Sequence, residues 1–547
     1  MGHFEKLIKF CQCHPSVYCY GAGLIGNRTN KFLRKYNINI RGYIVSQKKE
    51  SENKEIRLYQ IDEVIGLLDE ESGIILSLDE RFHQEITKEL LTYSRLNVSD
   101  IFPVTMSDVV NRINVDLAEG ISYFSEIDNR DRKWADDFIK RISDIELEKQ
   151  DNFQKQYAEI CEKYKKIIFA QYNMRHIGEM CLTYYLWSIE NKEKRDILYV
   201  MIPVLLDDSY DKIPNKYLFD KIQDEMVIIK PDNYEFWRWI FQYCSEKIEI
   251  TDQYNWVNIK HRDMDYLKSN NSCFQVNLDN REKEVLSEMN IGDVYICIYS
   301  RDKKYYEFIG QEDTECVAKA RNSSIADYEL MAKNYREMGV PLVRMGYQVA
   351  EDIAIEGIID YANKYRSEKL DFYLLSKCKF FMVSGSGIMF MAKLFNTPMA
   401  VVNSTVISFG GDTVMPMSPE KDLIIMKKLW HPKQGRYLSL DEILYIEGKV
   451  SSYELFEVYA SMGIVFHSNS QEELLDIAEE MRARIDGNMN YTNEDEELQE
   501  RYRDILKKNV TANGNHYYNG RFGASFLKKN PWFLEKVPAE VSIKKEI

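Results

Sequence analysis

The sequence predicts an α/β protein that contains several parallel sheets, and three observations support this prediction. Short apolar runs, the pattern of buried strands, alternate with helical segments over most of the 547 residues. A Gly-x-Gly-x-x-Gly turn formed by Gly21, Gly23 and Gly26 follows the first of these runs. A Ser-Gly-Ser-Gly turn at 384–387 follows another apolar run, and helical spacing over 388–395 comes after it.

The order of these patterns predicts five segments along the chain. They are a small Rossmann-like module at 1–110, a helical connector at 111–164, α/β domains at 165–288 and 289–490, and a tail at 491–547 that packs back on the core. The connector is charged and carries apolar residues at heptad-like spacing. This pattern fits a solvated spacer as well as a contact between two copies of the chain in a homodimer.

Charge and composition exclude several classes of function. The formal net charge of −15 argues against broad binding to nucleic acid or to an anionic membrane surface. The ten cysteines are scattered, which favours a reducing, cytoplasmic compartment. The apolar segment at 380–392 is too short to span a bilayer. The apolar residues at the N-terminus are interrupted by charges, whereas the core of a signal peptide is uninterrupted and apolar. We therefore expect no transmembrane segment, in a protein that is soluble or peripheral at a membrane.

The N-terminal glycine turn has the spacing of dinucleotide-binding proteins. In those proteins an acidic residue at the end of the second strand binds the ribose of NAD. Here Val45 is followed by Ser46, Gln47 and two lysines. The sequence thus disfavours NAD and leaves a phosphorylated ligand open. It favours a non-catalytic binding or interaction module over a dehydrogenase or an epimerase.

Three arginines stand near predicted strand ends in the second α/β domain. Arg301 comes directly after an apolar strand, Arg344 follows another, and Arg321 precedes a helix expected over 325–338. The carboxyl ends of parallel strands line the ligand crevice of a doubly wound sheet, and guanidinium groups bind phosphate oxygens in pairs. We therefore expect these arginines to bind an anion, together with the backbone of the turn at 384–387 and the dipole of the following helix. The alternative is a surface ion pair between Arg301 and a nearby acid.

Three stretches carry a more specific pattern: IYSRDKKYYEF at 298–308, a segment with Arg-Asn and Arg-Met-Gly at 320–346, and one with Asp-Tyr-Ala, the Ser-Gly turn and Thr-Pro at 358–404. With these motifs, residues 166–535 resemble a family of proteins assigned as bacterial glycosyltransferases and encoded with surface-polysaccharide genes. The resemblance implies a GT-B fold, a pair of Rossmann-like domains in which the second holds most of the nucleotide-sugar donor. The donor-binding residues expected from the strand ends and the resemblance are Arg301, Tyr306, Arg321, Asn322, Arg344, Ser384, Gly385, Ser386, Gly387 and Asn403.

One loop departs from the family pattern. The family has an Arg-Ile-Gly-His-type loop after the first strand of the first α/β domain, whereas this chain has Glu179 in place of the histidine and His176 earlier in the loop. Because the N-terminal domain of GT-B enzymes binds the acceptor, the resemblance implies that Glu179 or His176 is the catalytic base for the acceptor hydroxyl. The alternative is that Glu179 only stabilises a helix N-terminus.

The resemblance therefore predicts a glycosyltransferase that moves a sugar from a nucleotide-sugar donor to a glycan or glycolipid acceptor, such as capsule or lipopolysaccharide. The chemistry is expected to need no cofactor and no metal, since cationic side chains stabilise the leaving diphosphate. Two alternatives stay open: a nucleotide-sugar epimerase of the same fold, and a non-catalytic nucleotide-sugar-binding assembly protein. A metal-dependent transferase of another fold would use Asp263-Met264-Asp265 or Asp207-Asp208, but Asp263 follows a polar stretch rather than a strand.

Overall fold

The computed structural model describes residues 3–22, 24–45, 57–69, 71–78, 82–93, 96–105, 108, 147–191, 195–205, 213–230, 232–243, 248–251, 274–309, 314–350, 352–406, 408–409, 413–414, 417–418, 420–450, 454–509 and 520–537. Gly23, Ser46–Lys49, connector residues 111–146 and both aspartate motifs lie outside the described residues. Contacts divide the chain into two compact units. Unit 1 comprises Met1–Gln171, Arg195–Pro203 and Met226–Ile259, and unit 2 comprises Tyr172–Lys194, Val204–Glu225 and Lys260–Ile547. The predicted domain boundaries stay predictions.

The N-terminal sheet is parallel and has five strands. Its elements are α1 (His3–Cys13), β1 (Ser16–Tyr20), α2 (Leu24–Lys35), β2 (Tyr43–Ile44), β3 (Leu58–Tyr59), α3 (Ile61–Ile65), β4 (Ser72–Leu76), α4 (His83–Leu90), a 3-10 turn (Val98–Asp100) and β5 (Ile101–Pro103). The strand order is β3-β2-β1-β4-β5. Two apolar clusters form the core, one around Leu7 and Leu33 and the other around Ile74 and Leu90. Burial of this kind is typical of parallel sheets.

The second sheet has four strands in the order β8-β7-β6-β9. Its elements are α5 (Leu147–Lys163), β6 (Lys166–Asn173), α6 (Ile177–Asn191), β7 (Ile197–Val204), α7 (Lys216–Glu225), β8 (Val227–Ile228), α8 (Tyr234–Tyr243) and β9 (Ile248–Thr251). The helices α6 and α7 belong to unit 2, whereas most of the sheet belongs to unit 1.

The described part of the connector, α5, packs within unit 1. The ring of Phe153 lies 5.5 Å from that of Phe236 and 6.0 Å from that of Trp239, and the ring of Tyr157 lies 6.3 Å from Trp239. These contacts bury apolar positions of α5 within the same chain. The sequence had suggested that such positions could contact a second copy of the chain. A homodimer contact through the connector therefore stays a prediction for residues outside the described ones.

The third sheet has seven parallel strands in the order β12-β11-β10-β13-β14-β17-β21. Its strands are β10 (Ile296–Tyr299), β11 (Leu342–Arg344), β12 (Ile358–Ile359), β13 (Phe381–Ser384), β14 (Met399–Ser404), β17 (Leu423–Met426) and β21 (Arg521–Phe522). Its helices are α9 (Asn280–Met289), α10 (Lys304–Phe308), α11 (Glu315–Arg321), α12 (Glu329–Glu337), α13 (Tyr361–Lys364), α14 (Glu368–Lys377), α15 (Met389–Lys393), α16 (Leu440–Glu447), α17 (Leu455–Ser461), α18 (Gln471–Ile485), α19 (Asn493–Lys508) and α20 (Ala524–Lys529), with 3-10 turns at Ile325–Tyr328 and Pro531–Leu534. Two small antiparallel sheets consist of β15 (Ser408–Phe409) with β16 (Thr413–Val414), and of β18 (Lys428–His431) with β19 (Arg436–Tyr437) and β20 (Val465–His467).

Two predicted helices differ from the structure. The helix expected over 325–338 begins as a 3-10 turn, in which the Ser324 hydroxyl accepts a hydrogen bond from the backbone N–H of Ala326 at 3.1 Å, and becomes α-helical only in α12. The helix expected over 388–395 is the five-residue α15, because Asn396 adopts a left-handed φ of 56° ahead of the next strand. A helix this short has a small macrodipole, so the expected contribution of its dipole to anion binding is largely lost.

All three large sheets have their first strand in the middle, with the second and third strands on one side and the fourth on the other. This is the Rossmann arrangement, and the α/β fold class with a pair of Rossmann-like sheets after an N-terminal one is as predicted. In such sheets ligands bind where the strand order reverses, beyond the carboxyl ends of the strands. In the third sheet that place lies between β10 and β13.

Candidate functional site

The switch point of the third sheet brings Arg301 to the Ser-Gly turn. The strands β10 and β13 are paired in parallel, with Tyr299 opposite Val383. The residues that follow the two strands therefore meet, and the backbone N–H of Arg301 donates to the Ser384 Oγ at 2.8 Å. Both residues are 1% exposed.

The guanidinium of Arg301 is held by an amide and an aromatic ring. Its Nη1 donates to the side-chain oxygen of Asn322, and its Cζ lies 4.6 Å from the centre of the Tyr306 ring. The main chain supports this arrangement, since the N–H of Ser323 donates to the Arg301 carbonyl at 3.0 Å. Three predicted donor-binding residues, Arg301, Tyr306 and Asn322, thus lie together, and the positive charge is fixed in a buried place.

A second buried cation, Lys427, lies at the same edge and was not predicted from the sequence. It follows β17 directly, and its Nζ donates to the backbone carbonyl of Asn322 at 2.5 Å. The pKa of Lys427 is lowered to about 8, mainly by burial; Asp327 raises this pKa, and the charge of Arg301 makes a smaller lowering contribution. Asn322 therefore accepts from Arg301 through its side chain and from Lys427 through its main chain.

An open cavity of about 460 Å³ lies beside these groups in unit 2. The residues that line it are Ser300, Asp302, Asn322, Ser323, Ser324, Ile325, Asp327, Arg344, Ala350 and Ser468. Burial raises the pKa of Asp327. At the rim of the cavity, the Asp302 carboxylate accepts hydrogen bonds from the backbone N–H groups of Lys304 and Ala350.

The other two predicted arginines are placed differently from Arg301. Arg344 lines the cavity, but its Nη1 lies 3.3 Å from the Asp360 Oδ1, and both side chains are buried. This ion pair offsets the charge that the sequence assigned to anion binding. Arg321 is the last residue of α11 rather than part of a loop, and neither it nor Arg301 is among the described residues that line the cavity.

The Ser-Gly turn contacts the first turn of α6 through two glycines. A Cβ built on Gly178 would lie 2.5 Å from the Gly387 Cα, and one built on Gly387 would lie 3.1 Å from the Gly178 Cα. Gly178 leaves no room for a side chain, and a side chain at Gly387 would require the backbone of Gly178 to shift by a few tenths of an ångström. The predicted acceptor loop therefore lies directly against the predicted donor turn, which also contains Gly385 and the buried Ser386.

Of the two candidate bases, His176 directly precedes α6 and Glu179 lies in the first turn of that helix. The ring of His176 lies 6.4 Å from that of Tyr306, and its Nδ1 is buried without a hydrogen-bond partner among the described residues. Burial, with a smaller contribution from the charge of Arg175, lowers the pKa of His176 to about 4. Glu179 lies 3.4 Å from the Arg175 Nη2. His176 is thus neutral at pH 7 and lies near the ring that stacks on Arg301.

Asn403 has a structural contact that the sequence did not indicate. Its backbone N–H donates to the Asn469 Oδ1 at 2.6 Å, and the N–H of Asn469 donates to the Asn403 Oδ1 at 2.7 Å. Asn403 has a φ of 50°. This reciprocal pair fixes the end of β14 to the loop that precedes α18.

The N-terminal glycine turn is closely packed. Gly21 has a φ of 106°, and a Cβ there would lie 2.5 Å from the Ser77 carbonyl oxygen. A Cβ on Gly26 would lie 1.9 Å from the Gly21 carbonyl oxygen. Both positions require glycine for the path of the backbone, whether or not a ligand binds there.

Within the described ranges, no three His, Cys, Asp or Glu side chains are grouped so that they could hold a metal ion. No helix among the described residues is both long and apolar enough to cross a membrane.

No protein-family model matches this chain, and no curated protein matches it. A glycosyl transferase family 9 structure from Veillonella parvula is similar over 55% of this chain and 97% of its own, with 11% identity and a TM-score of 0.30. The iron-containing heptosyltransferase TibC from enterotoxigenic E. coli, in complex with ADP-D-beta-D-heptose, is similar over 59% of this chain and 79% of its own, with 10% identity and a TM-score of 0.33.

A protein from Listeria monocytogenes assigned as a UDP-N-acetylglucosamine 2-epimerase is similar over 44% of this chain and 79% of its own, with 10% identity and a TM-score of 0.22. The similar folds therefore include glycosyltransferases and an epimerase.

Proposed function

We propose that this chain is a glycosyltransferase that takes a sugar from a nucleotide-sugar donor and transfers it to a hydroxyl of a glycan or glycolipid acceptor. The observation that carries the proposal is the buried guanidinium of Arg301 at the switch point of a Rossmann-like sheet. Asn322 and Tyr306 hold it beside a second buried cation. The diphosphate of a nucleotide sugar is an anion that suits such a place.

In the proposed reaction the acceptor hydroxyl oxygen attacks the anomeric carbon of the donor. The bond between that carbon and the diphosphate oxygen breaks, and its electron pair leaves with the nucleoside diphosphate. Negative charge grows on the leaving group, and a preorganised donor such as Arg301 contributes about 3 kcal/mol to stabilising it. Since a fixed cation supplies this stabilisation, we propose that transfer needs no metal and no other cofactor.

The proton of the acceptor hydroxyl passes to His176 in this proposal. The buried Nδ1 of His176 has no hydrogen-bond partner among the described residues, and the imidazole is neutral at pH 7 because its pKa is lowered to about 4. A neutral imidazole can accept a proton, and its basicity here is close to that of an ordinary carboxylate. Glu179, the other candidate, is paired with Arg175.

The surface-glycan acceptor and the cytoplasmic location belong to the same proposal through the family resemblance. A thermal-shift screen with UDP-, GDP-, CMP-, dTDP- and ADP-sugars tests the donor, because a ligand of the native state raises the melting temperature. Hydrolysis of the stabilising donor in the presence of EDTA would support metal-independent glycosyl chemistry.

Other outcomes of this screen assign other functions. Release of a free epimer without an acceptor would identify an epimerase. A donor that binds but is neither hydrolysed nor transferred would identify a non-catalytic binding protein. Absence of stabilisation by every nucleotide sugar would contradict the proposal.

A further inference from the structure

Lys427 follows β17 at the carboxyl edge of the third sheet, and Arg301 follows β10 at the same edge. The backbone N–H of Lys427 donates to the Ser404 carbonyl at 2.8 Å, so the residue is fixed next to the end of β14. Its side chain is 2% exposed. The next residue, Lys428, has a different environment, since its Nζ lies 3.0 Å from the Glu473 Oε1. Two adjacent lysines thus have separate partners.

The burial of Lys427 next to Arg301 is costly in the absence of an anion. Two like charges repel each other, and the low polarity of a buried site strengthens this repulsion. Burial of the ammonium is the main reason that the pKa of Lys427 is lowered to about 8; Asp327 raises this pKa, and the charge of Arg301 lowers it by a smaller amount. An anion that contacts both cations would remove this cost.

We propose that Lys427 is a second ligand for the diphosphate of the donor and the residue by which the site prefers a diphosphate to a monophosphate. Asn322 holds both cationic groups, Arg301 through its side chain and Lys427 through its main chain, and it lines the cavity. Two cations held by one residue suit two neighbouring phosphate groups. The identity of this ligand rests on the proposed function.

A purely structural role for Lys427 makes a different prediction. Its ammonium bonds to the carbonyl of Asn322, which follows the last residue of α11, and lysines stabilise helix C-termini in this way. In that case Lys427→Met would lower the melting temperature of the ligand-free protein. Under our proposal, removal of one of two neighbouring buried charges leaves that temperature unchanged or raises it.

Isothermal titration calorimetry of the full chain with inorganic pyrophosphate and inorganic phosphate tests the proposal. We expect Lys427→Met to weaken pyrophosphate binding about tenfold or more, the loss of one charge-assisted hydrogen bond, and to weaken phosphate binding less than about threefold. The matched control Lys428→Met stays within about twofold for both ligands.

Pyrophosphate affinity within twofold of wild type in Lys427→Met, equal losses for both anions, or a lowered ligand-free melting temperature would each overturn the role of Lys427. Wild-type protein that binds neither anion would overturn it as well. Wild-type protein that binds pyrophosphate through Lys427 but no nucleotide sugar would leave this proposal standing and contradict the glycosyltransferase.

Discussion

The N-terminal sheet and the third sheet have the same strand arrangement but differ in the residues at their switch points. In the N-terminal sheet, glycines and the Ser77 carbonyl pack so closely that a Cβ has no room. In the third sheet, Arg301 lies at the same topological position, and Lys427, which follows β17, reaches the same asparagine with its side chain. A Rossmann-like arrangement therefore supplies a place for a ligand, and the side chains after the strands decide which charge it attracts.

The largest effect is expected for Arg301→Ala, which removes the cation that defines the third sheet's switch point. Loss of a preorganised donor should lower the transfer or donor-hydrolysis rate by about 10²–10³-fold, or about 3–4 kcal/mol, and weaken donor binding. Steady-state kinetics and calorimetry measure both quantities. Arg336→Ala is the control, because Arg336 forms an exposed ion pair with Glu356. Retention of both rate and affinity in Arg301→Ala would remove the basis of the proposed site.

His176→Asn should lower the rate by about 10²-fold, the effect of a lost general base, with little change in donor affinity. Glu179→Gln should lower the rate less than about tenfold, since in this assignment it only loses a contact with Arg175. Rates at a saturating donor concentration measure the two variants. The reverse order of effects would transfer the role of the base to Glu179.

Gly26→Ala tests whether the N-terminal sheet, in contrast to the third sheet, is dispensable for the reaction. Its Cβ would lie 1.9 Å from the Gly21 carbonyl oxygen, so we expect a destabilisation of about 1–3 kcal/mol from overpacking. The rate per folded molecule should stay within about twofold of wild type, because the change lies in the N-terminal module. Calorimetric melting with activity assays at a temperature where the variant is folded checks this. A tenfold loss of rate in the folded variant would show that the N-terminal module takes part in the reaction.

The smallest expected effect is the dependence of pyrophosphate affinity on pH. Burial and Arg301 lower the pKa of Lys427 to about 8, against the opposing influence of Asp327. The ammonium therefore loses its proton as pH rises through that value, and pyrophosphate affinity should fall several-fold between about pH 7 and 9.5. The same titration of Lys427→Met should be less steep. Parallel curves for the two proteins would contradict a role of Lys427 in anion binding.

The sequence was sufficient to predict the contact between Arg301 and the Ser-Gly turn, although Arg301 and Ser384 are 83 positions apart in the chain. The reason is physical: short apolar runs identify the strands, and the rule for parallel sheets brings the ends of neighbouring strands together. The same rule could have identified Lys427, since it also follows a strand of this sheet. Two adjacent lysines after an apolar run give no sign of which one is buried.

Other features depended on long-range partners that periodicity does not reveal. The ion pair between Arg344 and Asp360 and the amide pair between Asn403 and Asn469 join segments that carry no mutual sequence signal. The end of α15 after five residues reflects a left-handed asparagine rather than a change in hydrophobic pattern. Strand positions were thus more predictable than helix ends or side-chain partners.

The division of the chain has a practical consequence for work on fragments. Unit 2 takes up three separate stretches of sequence, so no single cut in the gene can release it intact. A truncated protein that began at Phe274 would retain the seven-stranded sheet but would lose Gly178, against which Gly387 packs. Dissection of this protein by deletion would therefore damage the part that it was meant to isolate, and point variants in the full chain are the sounder approach.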